Sequence, residues 1–369
     1  MIKIISQSSN QLYKHIFKPI VFKINPETVH DSTLNISAIS GHIGPIKYLL
    51  NKTWAYDNKS LEQTVDGLKY INPIGLAAGW DKDARTISLM PAIGFGFCEV
   101  GSITKHAYSG NPGTRLWRLK KSQSILVYYG LKNEGVDIIA PRIKNTHSKI
   151  LVGTNIARTN SPDCANDSVS VEDYTYSFKK LANIGDYFTV NISCPNTYGG
   201  QPFHDKKRLD MLLTSLDKIP TKKPVYIKIS PDISKQERQD IAKLSFQHNV
   251  QGFICGNLTK NRKLASIKDN DIPAVGGMSG KIVENLSNEL ISDMYSLTAG
   301  KKTIIGLGGV FTADDAYEKI KRGASLVQLI TGLIFQGPQI IGQINQGLAE
   351  LLEKDGYTNI NQAIGKVNK

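Results

Sequence analysis

Short apolar runs alternate with amphipathic stretches along the chain from about residue 66. The candidate strands, each ending near Gly, Asn, Ser or Asp, read INPIGLAA, FCEVGSI, ILVGTNI, YFTVNIS, VYIKIS, QGFICGN, TIIGLGG and SLVQLITG. Two of the stretches between them, SKQERQDIAKLSFQHN and DDAYEKIKRG, have the spacing of amphipathic helices. About eight strands alternating with helices predict an α/β protein with a (β/α)8 TIM barrel. An open doubly wound sheet is the alternative, but no GxGxxG motif follows the first strand.

The first 55 residues follow a different pattern and predict a small helical segment. Apolar residues at positions 12, 16, 17 and 20 recur at helical spacing, with lysines between them. Asn25-Pro26-Glu27 supplies a cap residue, a first-turn proline and an acid, so we expect a helix from there to about Ile36. A third helical stretch covers 46–54. We therefore divide the chain into a helical segment at 1–55 and a barrel at 56–369.

Two interpretations of the helical segment stay open at this point. It either packs on the barrel, or it contacts a membrane surface and admits an apolar co-substrate. No apolar run reaches the roughly 18 residues that a membrane span needs. Lysines and a proline interrupt the apolar residues at the N-terminus, which argues against a signal peptide. We expect a cytoplasmic protein or a peripheral one on the cytoplasmic side of a membrane.

Composition and charge narrow the class of protein. Of the 369 residues, 40% are apolar, which is enough for a large core. The net charge of +13 fits general solubility, an anionic membrane surface or nucleic acid. Nucleic acid is the weakest of these partners, because the basic residues form no arginine block and only 8% of residues are aromatic. Four cysteines without CxxC spacing argue against a zinc site and a disulfide framework, and favour a reducing compartment.

Polar residues follow the predicted strands, where the active site of a barrel forms. Each strand-end asparagine alone is more often a turn residue, but several together predict a ligand with amide and carbonyl edges. Two lysines, Lys82 and Lys228, add positive charge for an anion. The last two strand ends carry GLGG and LITG, a pattern typical of loops that hold a phosphate with backbone N–H groups.

The stretch VNISCPNT places Cys194 between a serine and a proline, with an asparagine on either side. A free cysteine is usually a small buried hydrophobe, and we expect that of Cys98 and Cys255, which lie within apolar strands. Cys164 lies in a polar loop and has no expected role. The surroundings of Cys194 favour a reactive thiol, whose pKa of about 8.5 nearby cations can lower.

Seven motifs, in order, resemble the dihydroorotate dehydrogenase family over roughly residues 10–355. They are GLAAGWDKD, GFGFCEVGSITKHAYSGNPGTRLWRL, VNISCPNT, YIKISPD, GGMSGK, IIGLGGV and GASLVQLITGLIFQGP. The N-terminal helices resemble the membrane-associated, quinone-using branch. The resemblance implies an FMN cofactor that takes a hydride from carbon 6 of dihydroorotate while a base takes a proton from carbon 5. Orotate would be the product, and a quinone the final acceptor.

The resemblance also assigns residues. The implied flavin positions are Ala78, Gly79, Lys82, Ser102, Asn155, Asn191, Lys228, Gly256, Gly280, Gly308, Gly309, Ile330 and Thr331. The implied substrate positions are Lys82, Asn191, Asn196, Asn257, Leu131 and Asn133. Asn191 and Lys228 join the catalytic set, with Lys228 stabilising negative charge on the reduced ring. Cys194 matches the base, where the quinone-using branch usually has serine.

Several positions depart from the family pattern. Val127 stands where a substrate-binding asparagine is expected, Leu131 where a phenylalanine is expected, and Gly256 and Leu258 where hydroxyl residues are expected. Loss of a bidentate amide costs about 1–3 kcal/mol if its partner is left unpaired. Either a neighbour such as Asn133 substitutes, or the ligand differs.

Other functions therefore stay open. One is a dihydroorotate dehydrogenase with a soluble acceptor such as fumarate. Another is a related FMN barrel that acts on a different dihydropyrimidine. A tRNA dihydrouridine synthase also uses a cysteine, but no RNA-binding region follows residue 355. A flavin-binding module without activity is disfavoured by the retained lysine, cysteine and asparagines. The sequence predicts no oligomeric state and no metal site.

Overall fold

Eight parallel strands close into a barrel in the computed structural model, which describes residues 8–368. Numbered along the chain, the strands inside and outside the barrel are β1 (Gln63–Val65), β2 (Leu68–Tyr70), β3 (Ile74–Leu76), β4 (Phe97–Ile103), β5 (Leu116–Leu119), β6 (Ser124–Val127), β7 (Leu151–Ile156), β8 (Tyr187–Asn191), β9 (Val225–Ile229), β10 (Gly252–Cys255), β11 (Gly277–Gly280), β12 (Thr303–Leu307) and β13 (Leu326–Leu329). The barrel order is β3-β4-β7-β8-β9-β10-β12-β13, and β13 pairs with β3. The predicted barrel is confirmed, and each barrel strand lies inside one of the predicted apolar runs.

Helices cover the outside of the barrel. They are α1 (Lys18–Val21), α2 (Pro26–Ser40), α3 (Gly44–Trp54), α4 (Val136–Lys144), α5 (Asp167–Leu181), α6 (Lys206–Asp217), α7 (Lys235–Gln247), α8 (Glu284–Leu297), α9 (Ala313–Lys321), α10 (Thr331–Gln336) and α11 (Ile340–Lys354). Capping boxes begin α7 at Ser234 and α9 at Thr312, the two helices whose patterns are clearest in the sequence.

Residues 8–54 are mainly helical. A π-helical turn at Tyr13–Phe17 precedes α1. The Asn25 side chain accepts hydrogen bonds from two backbone N–H groups of the first turn of α2, and α2 continues four residues beyond the expected end. Arg115 pairs with Glu27, and Arg118 donates to the Ile24 carbonyl oxygen at 2.7 Å. These contacts fasten the helical segment to β5.

Aromatic rings fill the N-terminal end of the barrel. The ring centroids of Tyr70 and Phe97 are 5.3 Å apart, and those of Tyr187 and Tyr226 are 5.4 Å apart. Glycine makes this filling possible: a Cβ added at Gly153 would lie 2.1 Å from the Tyr187 ring. The filled end leaves the carboxyl ends of the strands as the place for a ligand.

Three short antiparallel strands, β5, β6 and β11, form a separate sheet. The sequence analysis did not predict it, because strands of four residues carry little periodicity. Among residues 8–368, no helix is long and apolar enough to span a membrane. Within the same residues, no cluster of three or more His, Cys, Asp or Glu side chains is arranged to hold a metal ion.

Candidate active site

A buried carboxylate begins a chain of hydrogen bonds across the strand ends, here called the amide relay. Asn155 Nδ2 donates to Glu99 Oε1 at 2.8 Å. This orients the carbonyl oxygen of Asn155 toward Ser102, whose hydroxyl donates to it. Asn191 Nδ2 in turn donates to Ser102 Oγ at 2.8 Å. Because the carboxylate can only accept, it fixes the direction of every later bond.

The amide relay continues into the loop that carries the cysteine. Ser193 donates to Asn191 Oδ1 through its hydroxyl at 2.9 Å and its backbone N–H at 3.1 Å. Asn257 Nδ2 donates to Ser193 Oγ at 2.7 Å, and Asn257 Oδ1 accepts from the Leu258 N–H at 2.9 Å. The structure thus brings together three of the four asparagines that the sequence singles out.

The fourth asparagine, Asn196, is held from the other side. Its Nδ2 donates to the Val127 carbonyl oxygen at 2.9 Å, and Asn111 Nδ2 donates to the Asn196 carbonyl oxygen at 3.3 Å. Asn196 Oδ1 is buried and has no hydrogen-bond partner among residues 8–368. A buried amide oxygen without a partner is costly, so it is available to a ligand N–H group.

Cys194 and Lys228 lie beside this network. Burial raises the pKa of the Cys194 thiol, and the positive charges of Arg158, Lys260 and Lys228 oppose that rise. Desolvation of the thiolate outweighs these charges. Burial lowers the pKa of Lys228, while the negative charge of Glu99 opposes this and favours the ammonium.

Glycines and small residues form a cradle at the ends of β3, β12 and β13. Gly79 has a φ of +111°, and a Cβ there would meet only Ile330 Cδ1, at 3.7 Å. Gly308 has a φ of +120°. These are backbone conformations that side chains rarely adopt, and they keep open a flat space against the backbone. The other predicted cradle residues, Ala78, Gly280, Gly309 and Thr331, line the same space.

Lys82 lies apart from the asparagines. Its Nζ is 3.4 Å from His30 Nε2 and 4.2 Å from the centroid of the Tyr129 ring. Burial lowers the pKa of Lys82 to about 8, and nearby carboxylates such as Asp83 oppose that shift. Burial, with the positive charge of Lys82, holds the pKa of His30 well below its usual value. The lysine is therefore a buried cation whose neighbour is an uncharged imidazole.

Two predicted substrate residues and one predicted flavin residue have structural roles. Asn133 Nδ2 donates to Thr104 Oγ1 at 2.7 Å and to the Leu131 carbonyl oxygen at 2.9 Å, and its Oδ1 accepts two backbone N–H groups. Its amide thus joins its own turn to Thr104, the residue that follows β4. Leu131 has a φ of +69° at that turn. A Cβ at Gly256 would lie 1.9 Å from the Leu307 carbonyl oxygen, so close strand packing requires this glycine.

One cavity of about 610 Å³ joins the cradle to the N-terminal helices. At the barrel it is lined by Gly79, Lys228, Asn257, Gly308 and Thr331. Between the helices and β5 it is lined mainly by apolar side chains, with polar groups that include His30, Thr33, Ser37 and Arg118.

Sequence reasoning missed four residues that shape this site. The signal for Glu99 was present, as a single acid inside the apolar run FCEVGSI. Arg158 also carried a signal, since it follows a predicted strand. For His30 and Arg118 the one-dimensional pattern gives no signal, since helix packing alone brings them to the cavity.

Residues 60–352 match the family model for dihydroorotate dehydrogenase. The chain belongs to the dihydroorotate dehydrogenase family. The family assignment agrees with the resemblance carried by the seven motifs.

Named relatives and a solved structure support the assignment. The "Dihydroorotate dehydrogenase (quinone)" of Trichodesmium erythraeum is 36% identical over 97% of this chain and 99% of that protein. The protein of the same name from Christiangramia forsetii is 39% identical over 92% of this chain and 99% of its own length. The crystal structure of the Eimeria tenella dihydroorotate dehydrogenase in complex with ferulenol has a TM-score of 0.85 and 29% identity. The structural match covers 94% of this chain and 96% of the Eimeria tenella chain.

Proposed function

We propose that this chain oxidises dihydroorotate to orotate with bound FMN and passes the electrons to a quinone, a step in making pyrimidines. The observation that carries the proposal is one cavity that connects Asn257 and Lys228 at the strand ends, the glycine cradle and the apolar space under the N-terminal helices. One end suits a polar substrate and the other an apolar acceptor. Relatives named for the quinone-dependent enzyme support the same acceptor.

The residues fit a flavin mononucleotide. The family is flavin-dependent, and the open face of Gly79 accommodates a flat ring system. Gly308, Gly309 and the first turn of α10 at Thr331 would hold the phosphate with backbone N–H groups. Asn155, Asn191 and Lys228 would bind the pyrimidine edge of the ring. When bound, FMN supplies the acceptor for the hydride that leaves carbon 6 of the substrate.

Cys194 would take the proton from carbon 5. The thiol is half-buried and lies in a loop whose neighbours donate and accept through the amide relay. A raised thiol pKa means a stronger base once the proton is lost, at the cost of a smaller thiolate fraction near neutral pH. The positive charges of Arg158, Lys260 and Lys228 increase that fraction.

Four asparagine and lysine positions would hold the substrate. Asn191, Asn196 and Asn257 present amide edges, and the unpaired Asn196 Oδ1 would accept a ring N–H. Lys82 would pair with the carboxylate after leaving its place beside His30. Val127 contributes a backbone carbonyl oxygen that orients Asn196, so its side chain is not needed for that contact.

The helical segment at 1–55 would bring the quinone from a membrane surface, as a unit distinct from the barrel at 56–369. Among the residues whose burial the structure describes, eleven of the twenty exposed large apolar side chains lie between residues 12 and 49, on a short part of the chain. They are Leu12, Ile16, Phe17, Ile20, Ile24, Ile36, Ile39, Ile43, Ile46, Tyr48 and Leu49. An apolar surface of this kind marks a membrane or partner contact, and neighbouring lysines suit anionic headgroups. We place the protein peripherally on the cytoplasmic side of a membrane.

The first test mixes the purified flavoprotein with L-dihydroorotate in the absence of oxygen and follows the flavin absorbance. Rapid bleaching, followed by reoxidation with a water-soluble quinone, is the expected result. A flavin that stays oxidised with dihydroorotate but bleaches with another dihydropyrimidine would refute the substrate. Reoxidation by fumarate at a rate equal to that with quinone would favour the soluble-acceptor alternative.

A second test addresses the membrane. Ile39, which is 65% exposed on α2, is changed to Asp and binding to anionic lipid vesicles is measured by sedimentation. The matched control is Ile138→Asp, since Ile138 is 57% exposed on the barrel helix α4. We expect only Ile39→Asp to reduce binding. Equal binding by both variants would contradict the proposed membrane surface.

A further inference from the structure

The geometry points to Arg158 as a positioning residue that holds the loop after Cys194 closed and supplies positive charge to its thiol. The inference rests on the proposed role of Cys194 as the base. Arg158 follows β7 and is 4% exposed.

The guanidinium donates to oxygens of two different loops. Its Nη2 donates to the backbone carbonyl oxygens of Tyr198 and, at 3.1 Å, Gly200. Its Nη1 donates to the Cys164 carbonyl oxygen and, at 3.4 Å, to Ser170 Oγ. Arg158 therefore joins the loop at 194–201 to the segment before α5, and a planar fork suits this divided contact.

The loop at 194–201 turns its backbone carbonyl oxygens toward the guanidinium of Arg158. Gly199 and Gly200 have φ values of +67° and +68°, which let successive carbonyl groups turn toward one side. The loop has two further anchors: Asn160 Oδ1 accepts from the Tyr198 N–H at 2.9 Å, and Gln201 Nε2 donates to the Ser193 carbonyl oxygen at 2.8 Å. Arg158 is the charged member among these contacts.

The charge of Arg158 has no acidic partner among the ion pairs of residues 8–368. Its hydrogen bonds go to neutral oxygens. Burying a cation without a counter-ion is expensive, and such a group is a candidate for a functional role. A nearby thiolate would compensate the charge, which couples the cation to the base.

Charged and titratable groups around Cys194 are few and mostly cationic. Arg158, Lys260 and Lys228 act to lower the pKa of the thiol, with Arg158 first among the charges, while burial raises it. Tyr174 lies beside the same group and donates to the Asn191 carbonyl oxygen at 2.7 Å. Removing Arg158 therefore takes away the leading charge that favours the thiolate.

Two variants separate the charge from the fork. Arg158→Met removes both, and Arg158→Lys keeps the charge alone. The control is Arg208→Met, because Arg208 is a half-exposed residue paired with Asp167 on the surface. For each flavin-loaded protein, anaerobic flavin reduction by dihydroorotate is measured against pH, and orotate affinity is measured from the flavin spectrum.

We expect Arg158→Met to shift the pH midpoint of reduction upward by about one unit, with a roughly tenfold slower rate below it. Arg158→Lys should keep the midpoint and lose about tenfold in orotate affinity, because one ammonium cannot hold two loops. Arg208→Met should change neither. An unshifted midpoint in Arg158→Met would overturn the electrostatic role, and unchanged orotate affinity in Arg158→Lys would overturn the clamp.

Cys194→Ala separates this inference from the proposed base. If that variant reduces flavin as fast as the unmodified chain, Cys194 is not the base and the role of Arg158 falls with it. If Cys194→Ala is slow while Arg158→Met keeps the original midpoint, only the inference about Arg158 is wrong. Should Arg158→Met fail to fold, the pH midpoint of Arg158→Gln, which also lacks the charge, tests the electrostatic role, and the orotate affinity of Arg158→Lys still tests the clamp.

Discussion

Replacing Glu99 by leucine tests whether the buried carboxylate orients the amide relay. Glu99 accepts from Asn155 Nδ2 at 2.8 Å, Gln328 Nε2 at 3.0 Å, Thr189 Oγ1 at 2.9 Å and Tyr187 Oη at 3.3 Å. The hydroxyl groups of Thr189 and Tyr187 can rotate toward other acceptors. The Asn155 and Gln328 side chains cannot, so the N–H groups that they donate to Glu99 are left unpaired. Glu99→Leu has a similar side-chain volume, so the change is chiefly one of polarity.

The magnitude follows from what is left unpaired. Two buried amide N–H groups at about 1–3 kcal/mol each give a loss of about 2–6 kcal/mol in the free energy of unfolding. Lys228 also loses the negative charge that favours its ammonium, and breaking a buried charge pair costs about 3–5 kcal/mol. Relief from burying the carboxylate offsets part of the sum, so we expect a net loss of about 3–5 kcal/mol.

The matched variant Glu99→Gln keeps one carbonyl oxygen for Asn155. Gln328 can turn its unpaired Oε1 toward the new amide, so only the charge is lost. We expect Glu99→Leu to unfold at least about 2 kcal/mol more easily in urea than Glu99→Gln, and to lose more flavin affinity. Thr189→Val, which removes one bond at the other carboxylate oxygen, should cost about 1 kcal/mol and leave flavin affinity intact.

If Glu99→Leu and Glu99→Gln have equal stability and equal flavin affinity, the carboxylate does not orient the relay. The asparagines would then hold their directions through backbone contacts alone. If Thr189→Val weakens flavin binding as much as Glu99→Leu does, the effect belongs to general packing of the barrel interior.

The remaining predictions concern the base, the substrate lysine and the flavin cradle. Cys194→Ala should slow anaerobic flavin reduction by about 10²–10⁴-fold while flavin stays bound, as stopped-flow absorbance would measure. In the unmodified chain that rate should rise with pH to a midpoint above the usual thiol range, because burial raises the pKa of Cys194. Orotate affinity should fall above about pH 8, where Lys82 loses its proton; Lys82→Met should bind weakly at every pH. Gly79→Val should abolish flavin binding, because a φ of +111° strains any residue with a side chain. The valine side chain would also occupy the open space proposed for the flavin ring.

The barrel could be predicted because its strands are buried on both faces. Continuous apolar runs such as FCEVGSI and YFTVNIS mark such strands, and the observed β4 covers the whole of the first run. The sheet of β5, β6 and β11 could not be predicted in the same way. β5 and β6 are neighbours in the chain, but β11 lies about 150 residues further on, and its sequence, GMSG, has no strand propensity.

The candidate site was predicted in its residue types more than in its contacts. Strand-end position alone indicated Asn155, Asn191 and Asn257, since the carboxyl ends of barrel strands meet at one face. The direction of each amide depends on Glu99, which lies inside the barrel on β4. The sequence shows Glu99 as a single acid in an apolar run, but it does not show which side chains that acid contacts. The contacts of Asn133 could not be predicted, because its amide bonds Thr104, 29 residues away along the chain, as well as Leu131 in its own turn.

Lys82 contacts two side chains, His30 and Tyr129, that line the cavity. Its ammonium lies 3.4 Å from His30 Nε2 and over the Tyr129 ring, on the side of the N-terminal helices. A substrate carboxylate would draw it toward the asparagines, since a buried cation without a carboxylate partner gains most from a new anion. His30 would then lose the positive charge that helps to keep its pKa low, and its imidazole would become a better proton acceptor. Substrate binding at the barrel would thus change the electrostatics of the space proposed for the quinone, through the movement of a single side chain.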